Sequence, residues 1–210
     1  MNYKTIASGG QAEYEIQRSR FIAAAAPVET EEAAQEFIRQ QKKKYFDARH
    51  NCSAYIIGET SSKQKSSDDG EPGGTAGMPI LECIKKNELT NIVIVVTRYF
   101  GGIKLGAGGL IRAYSHAASL AIGASELVEA KEFWRTALTI GYDQLGMTEN
   151  WLRQNNIRTA DKDFAADIIL HLLLPKTEAE QISEGLIDLT AGKGKISKEE
   201  LVFLQVPLKQ

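Results

Sequence analysis

Five branched apolar residues stand in succession at Ile92-Val93-Ile94-Val95-Val96. Such a run does not alternate, so both faces of the strand it forms must be covered. Asn91–Thr97 is therefore expected to be the central strand of a first domain. Around it, Ala12–Gln17 and Phe21–Val28 read as antiparallel strands and Cys52–Ile57 as a short one. Ala34, Phe37, Ile38 and Tyr45 keep helical spacing behind Thr30, an N-cap residue. Glu31 and Glu32 fall in the first turn of that helix and Lys42, Lys43 and Lys44 in its last, each at the dipole end that favours its charge. Met78–Lys86 reads as a second helix with Pro79 tolerated in its first turn. Leu110, Ile111, Tyr114, Ala117, Ala118 and Ala121 mark the apolar stripe of a third. Between these elements lie a polar loop, Ser61–Gly77, and a glycine-rich turn, Gly101–Gly109.

Near residue 130 the pattern becomes plainer. Ala130–Ile140 reads as a strand and Tyr142–Gln154 contains a helix. Ile157–Thr159 and Ile168–Leu174 read as strands joined through a polar turn at Asp161-Lys162-Asp163. Thr177 and Glu180 form a capping box for a helix through Ile182, Leu186 and Leu189, which ends at Gly192. Lys195–Val206 closes as a strand. This split β-α-β order is ferredoxin-like. The expected fold class is α+β with two domains, 1–130 and 131–210, and no flexible linker between them.

Composition narrows the function more than the fold. The 210 residues are 43% hydrophobic and 25% charged, which excludes a disordered or collagen-like chain. The formal charge is −2, and residues 1–130 hold fifteen basic and fifteen acidic side chains. That balance argues against a bulk affinity for nucleic acid or membrane while leaving room for a local basic patch. No run approaches the roughly 20 apolar residues of a spanning helix, and no apolar segment of a secretory signal follows Met1. Cys52 and Cys83 are the only cysteines and form no C-x-x-C pair, so reduced thiols and a cytoplasmic location are expected.

Three segments carry possible chemistry. In Ala48-Arg49-His50-Asn51-Cys52, His50 and Cys52 lie two apart, which on a strand puts them on one face; they form either a nucleophilic pair or a structural histidine beside a buried thiol. In Ser67–Gly77, Asp68, Asp69 and Glu71 stand among four glycines. They suit either a hard cation or the capping of the following helix, and the EF-hand pattern fails. In Thr97–Tyr114 a strand enters a glycine turn that opens a helix, where free backbone N–H groups and the dipole favour an anion. Arg98, Lys104 and Arg112 bring cations to that turn, and Arg112 and His116 share a helix face at i and i+4. The alternative there is close helix–strand packing through glycines. Gly101 and Gly106 have P-loop spacing, but Ala107 stands where the motif needs Lys. Gly106-Ala107-Gly108-Gly109-Leu110-Ile111 lacks the third glycine of the dinucleotide fingerprint. The third histidine, His171, sits in an apolar strand as a structural residue, and no zinc ligand cluster is evident.

Three of these runs together resemble the bacterial branch of the IMPACT family. They are His50-Asn51-Cys52, then Ser67-Asp68-Asp69-Gly70-Glu71-Pro72 with Gly74-Thr75-Ala76-Gly77, then Val96 through Leu110 with its long glycine motif. The resemblance covers roughly residues 15–125. It implies a first domain folded like elongation factor G domain IV and the second domain of a small-subunit ribosomal protein, an α/β sandwich. It also implies a ferredoxin-like second domain similar to the C-terminal domain of elongation factor G. Eukaryotic members regulate translation by competing for the activator of a starvation-responsive kinase, and they carry an additional RWD domain. The family core begins here by about residue 15, so that partner mechanism is not expected to carry over.

What is expected is a non-enzymatic, translation-associated protein that binds RNA, the ribosome or a protein of the translation machinery, with no cofactor and no metal. The expected binding residues are His50, Asp68, Asp69, Glu71, Arg98, Lys104, Gly106, Gly108, Arg112 and His116, and none is expected to be catalytic. Tyr99 or Phe100 would stack on a base. Replacing Arg98 or Lys104 by Ala is expected to weaken anion binding with little effect on stability. The alternative is an enzyme acting on a phosphorylated small molecule or nucleotide through the glycine-rich loop, with Asp68, Asp69 or Glu71 holding Mg²⁺ or serving as base.

Overall fold

The computed structural model describes residues 2–208 and divides into two compact units. One comprises the chain as far as Ala130 and again from Gln205; the other spans Lys131–Leu204.

The first unit is built on an antiparallel sheet. Its strands are β2 (Gln11–Ile16), β3 (Ser19–Pro27), β4 (His50–Ile57), β5 (Lys63–Ser67) and β6 (Ile92–Tyr99). β1 (Tyr3–Ser8) lies outside it and pairs with residues 126–130 of β7 (Glu126–Ile140). The spatial order is β2-β3-β6-β4-β5, so the run of branched residues is central, as its pattern requires. Its alternate residues go to opposite sides. Ile92, Ile94 and Val96 pack with α2 (Gly77–Lys86) and α3 (Gly106–Gly123), while Val93 and Val95 pack with α1 (Glu31–Lys44). The Thr30 hydroxyl accepts the Ala33 N–H at 3.1 Å and caps α1.

The second unit runs from the later part of β7 through α4 (Leu145–Gln154), β8 (Arg158–Phe164), β9 (Ile168–Pro175) and α5 (Ala179–Leu189) to β10 (Lys195–Pro207). Its sheet order, β10-β7-β9-β8, is the ferredoxin-like one. Leu138, Ile140, Leu170, Leu172, Leu174 and Leu186 form its core.

Several local expectations need correction. The polar loop 61–77 contains β5, and Asp161-Lys162-Asp163 is not a turn but part of β8; the reversal comes at 165–167, where the Ala165 N–H reaches the Asp167 carbonyl. Both are edge strands held by backbone pairing, with little apolar patterning to show it. Thr177 does not cap α5: a turn closed by Glu178 N–H on the Pro175 carbonyl delays the first helical residue to Ala179. α3 begins at Gly106, four residues before the expected Leu110, so Gly108 and Gly109 belong to its first turn. Ile111, placed in the apolar stripe by spacing, is exposed.

Candidate functional site

The antiparallel register decides which loops meet. His50 pairs with Arg98, Arg20 with Tyr99, and Ser53 with Ser67. The segments 45–49, 68–73 and 100–105 therefore leave the sheet at one end, together with the β2–β3 turn at Gln17 and Arg18. Gly101 lies so close to that turn that a Cβ on it would stand 2.0 Å from the Arg18 carbonyl carbon. The Tyr99 hydroxyl donates to Asp47 at 2.7 Å and ties two of the loops together.

At this end lies a cleft of about 430 Å³, lined among others by Arg49, His50, Glu71, Arg98, Phe100 and Lys104, and by Gly106 and Ala107 at the start of α3. Seven of its lining residues come from the long glycine motif, which explains what that motif shapes. Gly106 has φ +71°, a left-handed conformation suited to glycine, as the chain turns into α3. No side chain caps this helix start and no acidic residue stands in its first turn. Its first N–H groups are therefore left without helical partners at the positive end of the dipole.

The three carboxylates of the acidic loop separate in role. Asp68 accepts from the N–H groups of Gly74, Ala76 and Gly77 at 2.8–3.0 Å and so caps the entry to α2. Burial opposes its charge, but these donors outweigh burial and hold its carboxyl below the ordinary range. Asp69 accepts the Asn51 N–H at 2.7 Å and pairs with Lys42 at 2.6 Å. Its φ of +43°, followed by Gly70 at +87°, turns the loop so that the Asp69 carbonyl meets the His50 ring at 3.0 Å. Glu71 is buried and accepts from both Arg98 and the Tyr114 hydroxyl, each at 2.7 Å. Among the described residues no group of three or more His, Cys, Asp or Glu could hold a metal ion.

Arg98 is thus a buried ion-pair partner where the sequence suggested a surface cation. Its side chain is 7% exposed and that of Glu71 4%. The guanidinium lies 5.5 Å from the ring centres of both Phe21 and Phe100, and its Nε has no hydrogen-bond partner. The free cations of the cleft are Lys104 and Arg49, the latter passed over by the sequence reading although it adjoins His50. Tyr114 was likewise counted only as an apolar stripe position. Burial, then Cys52 and Glu71, raise its hydroxyl far above the ordinary tyrosine range. Cys52 donates to the Asp68 carbonyl at 3.0 Å, and burial pushes its thiol up to about 12. Gly108, Arg112 and His116 lie outside the lining; His116 instead packs edge-on against Tyr14, 4.6 Å between ring centres. A larger hollow of about 620 Å³ between α2 and α3 is lined by Glu82, Lys86, Asn87, Ser115 and Ser119 among others and contains none of the expected binding residues.

Comparison with known proteins agrees with this layout. Residues 17–122 match the Impact N-terminal domain, and residues 138–193 match a domain of unknown function, DUF1949. The chain is 43% identical over 204 residues to IMPACT family member YvyE of Bacillus subtilis, covering 97% of this chain and 94% of that one. It is 35% identical over 180 residues to IMPACT family member YigZ of Escherichia coli, covering 85% and 88%. A Protein IMPACT homolog of Dictyostelium discoideum is 39% identical over 106 residues, or 48% of this chain and 28% of that one. A crystal structure described as that of a hypothetical protein superposes with a TM-score of 0.59 at 32% identity, covering 95% and 98%.

Proposed function

This chain belongs to the IMPACT family, and on that footing we propose that it is a non-enzymatic, cytoplasmic protein of the translation apparatus that binds RNA through phosphate at the start of α3. The observation that carries this reading is the uncapped N-terminus of α3 opening into a cleft that also holds Lys104 and Arg49. A phosphate group matches that set: backbone N–H donors, a helix dipole and cations without carboxylate partners. Phe100 is 51% exposed and flanks the cleft, where it offers a ring for a base.

The enzymatic alternative finds less support. It needs a free base or a Mg²⁺ ligand set, and Asp68, Asp69 and Glu71 are each engaged with separate partners. Cys52 is also unsuited to act as its nucleophile, being fully buried with its thiol pushed up to about 12. No helix among the described residues is long and apolar enough to cross a membrane.

Fluorescence anisotropy with a labelled 12-nucleotide RNA at low salt tests the reading. Lys104→Ala and Arg49→Ala should each weaken binding and flatten the salt dependence by about 0.7 in slope, the share of one phosphate on a single strand. Parent-like affinity and slope in both variants would exclude the cleft as the phosphate site.

A further inference from the structure

At the end of the sheet that holds the cleft, acids and bases are distributed unequally. Asp69 pairs with Lys42, Glu71 with Arg98 and Glu13 with Arg20. Among the described residues Arg18, Lys43, Lys44, Arg49 and Lys104 have no carboxylate partner, whereas the carboxylates left without a cation there are Glu15, Asp47 and Asp68, the second bonded to Tyr99 and the third to backbone N–H groups. The surface is therefore basic although residues 1–130 as a whole are balanced.

Three of the most exposed large apolar side chains of this unit project from the same loops. Phe46 is 84% exposed, the highest value among the large hydrophobics of the described chain, and Phe100 and Ile103 are 51% and 44% exposed. Phe46 precedes β4 and Phe100 follows β6, and these strands are hydrogen-bonded neighbours. Isolated exposed apolar residues need no explanation, but two phenylalanines on adjacent loops, interleaved with free cations, do. The fully buried centre of a protein–protein interface is depleted of charge. Rings alternating with unpaired Lys and Arg are instead the arrangement that holds a single strand, with cations along the backbone and rings beneath unpaired bases.

We propose that Phe46 is a second stacking platform beside Phe100, and that the ligand at this surface is single-stranded RNA with its bases unpaired. This rests on the proposed phosphate site and adds to it. A phosphate cleft alone would accept a duplex or a polyphosphate chain equally well, whereas the rings need bases that a duplex keeps stacked internally.

The test uses the full chain with three probes: fluorescein-labelled decauridylate, a ten-base-pair RNA duplex, and inorganic polyphosphate as competitor. The parent should bind decauridylate more tightly than the duplex. Phe46→Ala should weaken decauridylate binding by about five-fold or more, the loss expected for one stacked base. It should leave competition by polyphosphate, and the melting temperature, unchanged, because Phe46 supports no core. Phe46→Trp should restore binding. If Phe46→Ala binds decauridylate within two-fold of the parent, or if the parent prefers the duplex, the platform is refuted while the phosphate site stands on the polyphosphate result. If the parent binds neither decauridylate nor polyphosphate, both readings fall and the surface belongs to a protein partner.

Discussion

Replacing Arg98 by Met should destabilise the first unit severely. The guanidinium and the Glu71 carboxylate meet at 2.7 Å with side chains 7% and 4% exposed. Loss of Arg98 leaves Glu71 with the Tyr114 hydroxyl as its remaining donor, in surroundings that water hardly reaches. Breaking a buried pair from one side costs about 3–5 kcal/mol, whereas an exposed pair contributes about 1 kcal/mol at most. The rings of Phe21 and Phe100 lose their cation as well. For a unit of this size that loss lowers the melting temperature by about 10–20 °C. The two units can be followed separately, because both tryptophans, Trp134 and Trp151, pack in the core of the second. Far-UV circular dichroism should show the early transition in urea, while tryptophan fluorescence holds near the parent midpoint. Glu71→Gln should cost a comparable amount. The double variant Arg98→Met/Glu71→Gln should recover at least 2 kcal/mol relative to the sum of the two, the coupling expected of contacting charges. A single variant that loses less than about 1 kcal/mol, or strict additivity in the double, would refute the view of Arg98 as a structural ion-pair partner.

Asp68 gives the protein an acid-sensitive cap. Its folded-state pKa is lowered, so its stabilising effect is complete above the unfolded value and is lost as pH falls through the folded one; urea midpoints should drop below about pH 4, and drop less in Asp68→Asn, which starts lower. Asp68→Ala should cost about 1–2 kcal/mol at pH 7 by freeing the N–H groups of Gly74, Ala76 and Gly77, as measured by urea denaturation. Cys52, with its thiol raised to about 12 by burial, should stay unmodified by a thiol reagent at pH 8 and react only on the timescale of unfolding; fast labelling of the native protein would contradict its burial. Gly101→Ala should cost about 2–3 kcal/mol because its Cβ would meet the Arg18 backbone at 2.0 Å, whereas Gly73→Ala, with open space around it, should be neutral in the same thermal melts.

Some of the fold was legible because its residues announce their surroundings. Five branched residues in a row left β6 no position but the middle of a covered sheet, and Thr30 with its acidic and basic turns fixed α1. β5 and β8 were missed because an edge strand is held by backbone hydrogen bonds that leave no trace in side-chain period. β1 was missed because its partner lies more than a hundred residues along the chain. In the cleft, the glycine motif pointed to the right turn, since a left-handed Gly106 and a close-packed Gly101 are both needed there. It placed the helix four residues late, because glycine has low helix propensity and Gly108 and Gly109 read as turn. Phe46 and Arg49 carried no motif, and only the register of β4 against β6 sends the loop that holds them out of the same end of the sheet as the loop of Phe100 and Lys104.

Charge shows most clearly why counting residues falls short of reading a surface. Fifteen bases against fifteen acids in residues 1–130 argues for neutrality, and for the unit as a whole that holds. A surface potential, however, depends on which charges are already neutralised by a neighbour. Glu71 and Arg98 lie 27 positions apart in the chain and cancel each other inside the core; Asp69 cancels Lys42 at the rim. Each pairing removes one acid and one base together, so the sign of this end is set by the charges left over, among them Lys43, Arg49 and Lys104. Arg98, the cation most prominent in the motif, is thus the one least available to a ligand as a charge. Its contribution is indirect: by holding Glu71 in the core it prevents that carboxylate from opposing an anion in the cleft. The same pairing that makes Arg98→Met costly for stability should therefore make that variant bind anions more weakly, through the uncompensated Glu71 charge, even where it remains folded at low temperature.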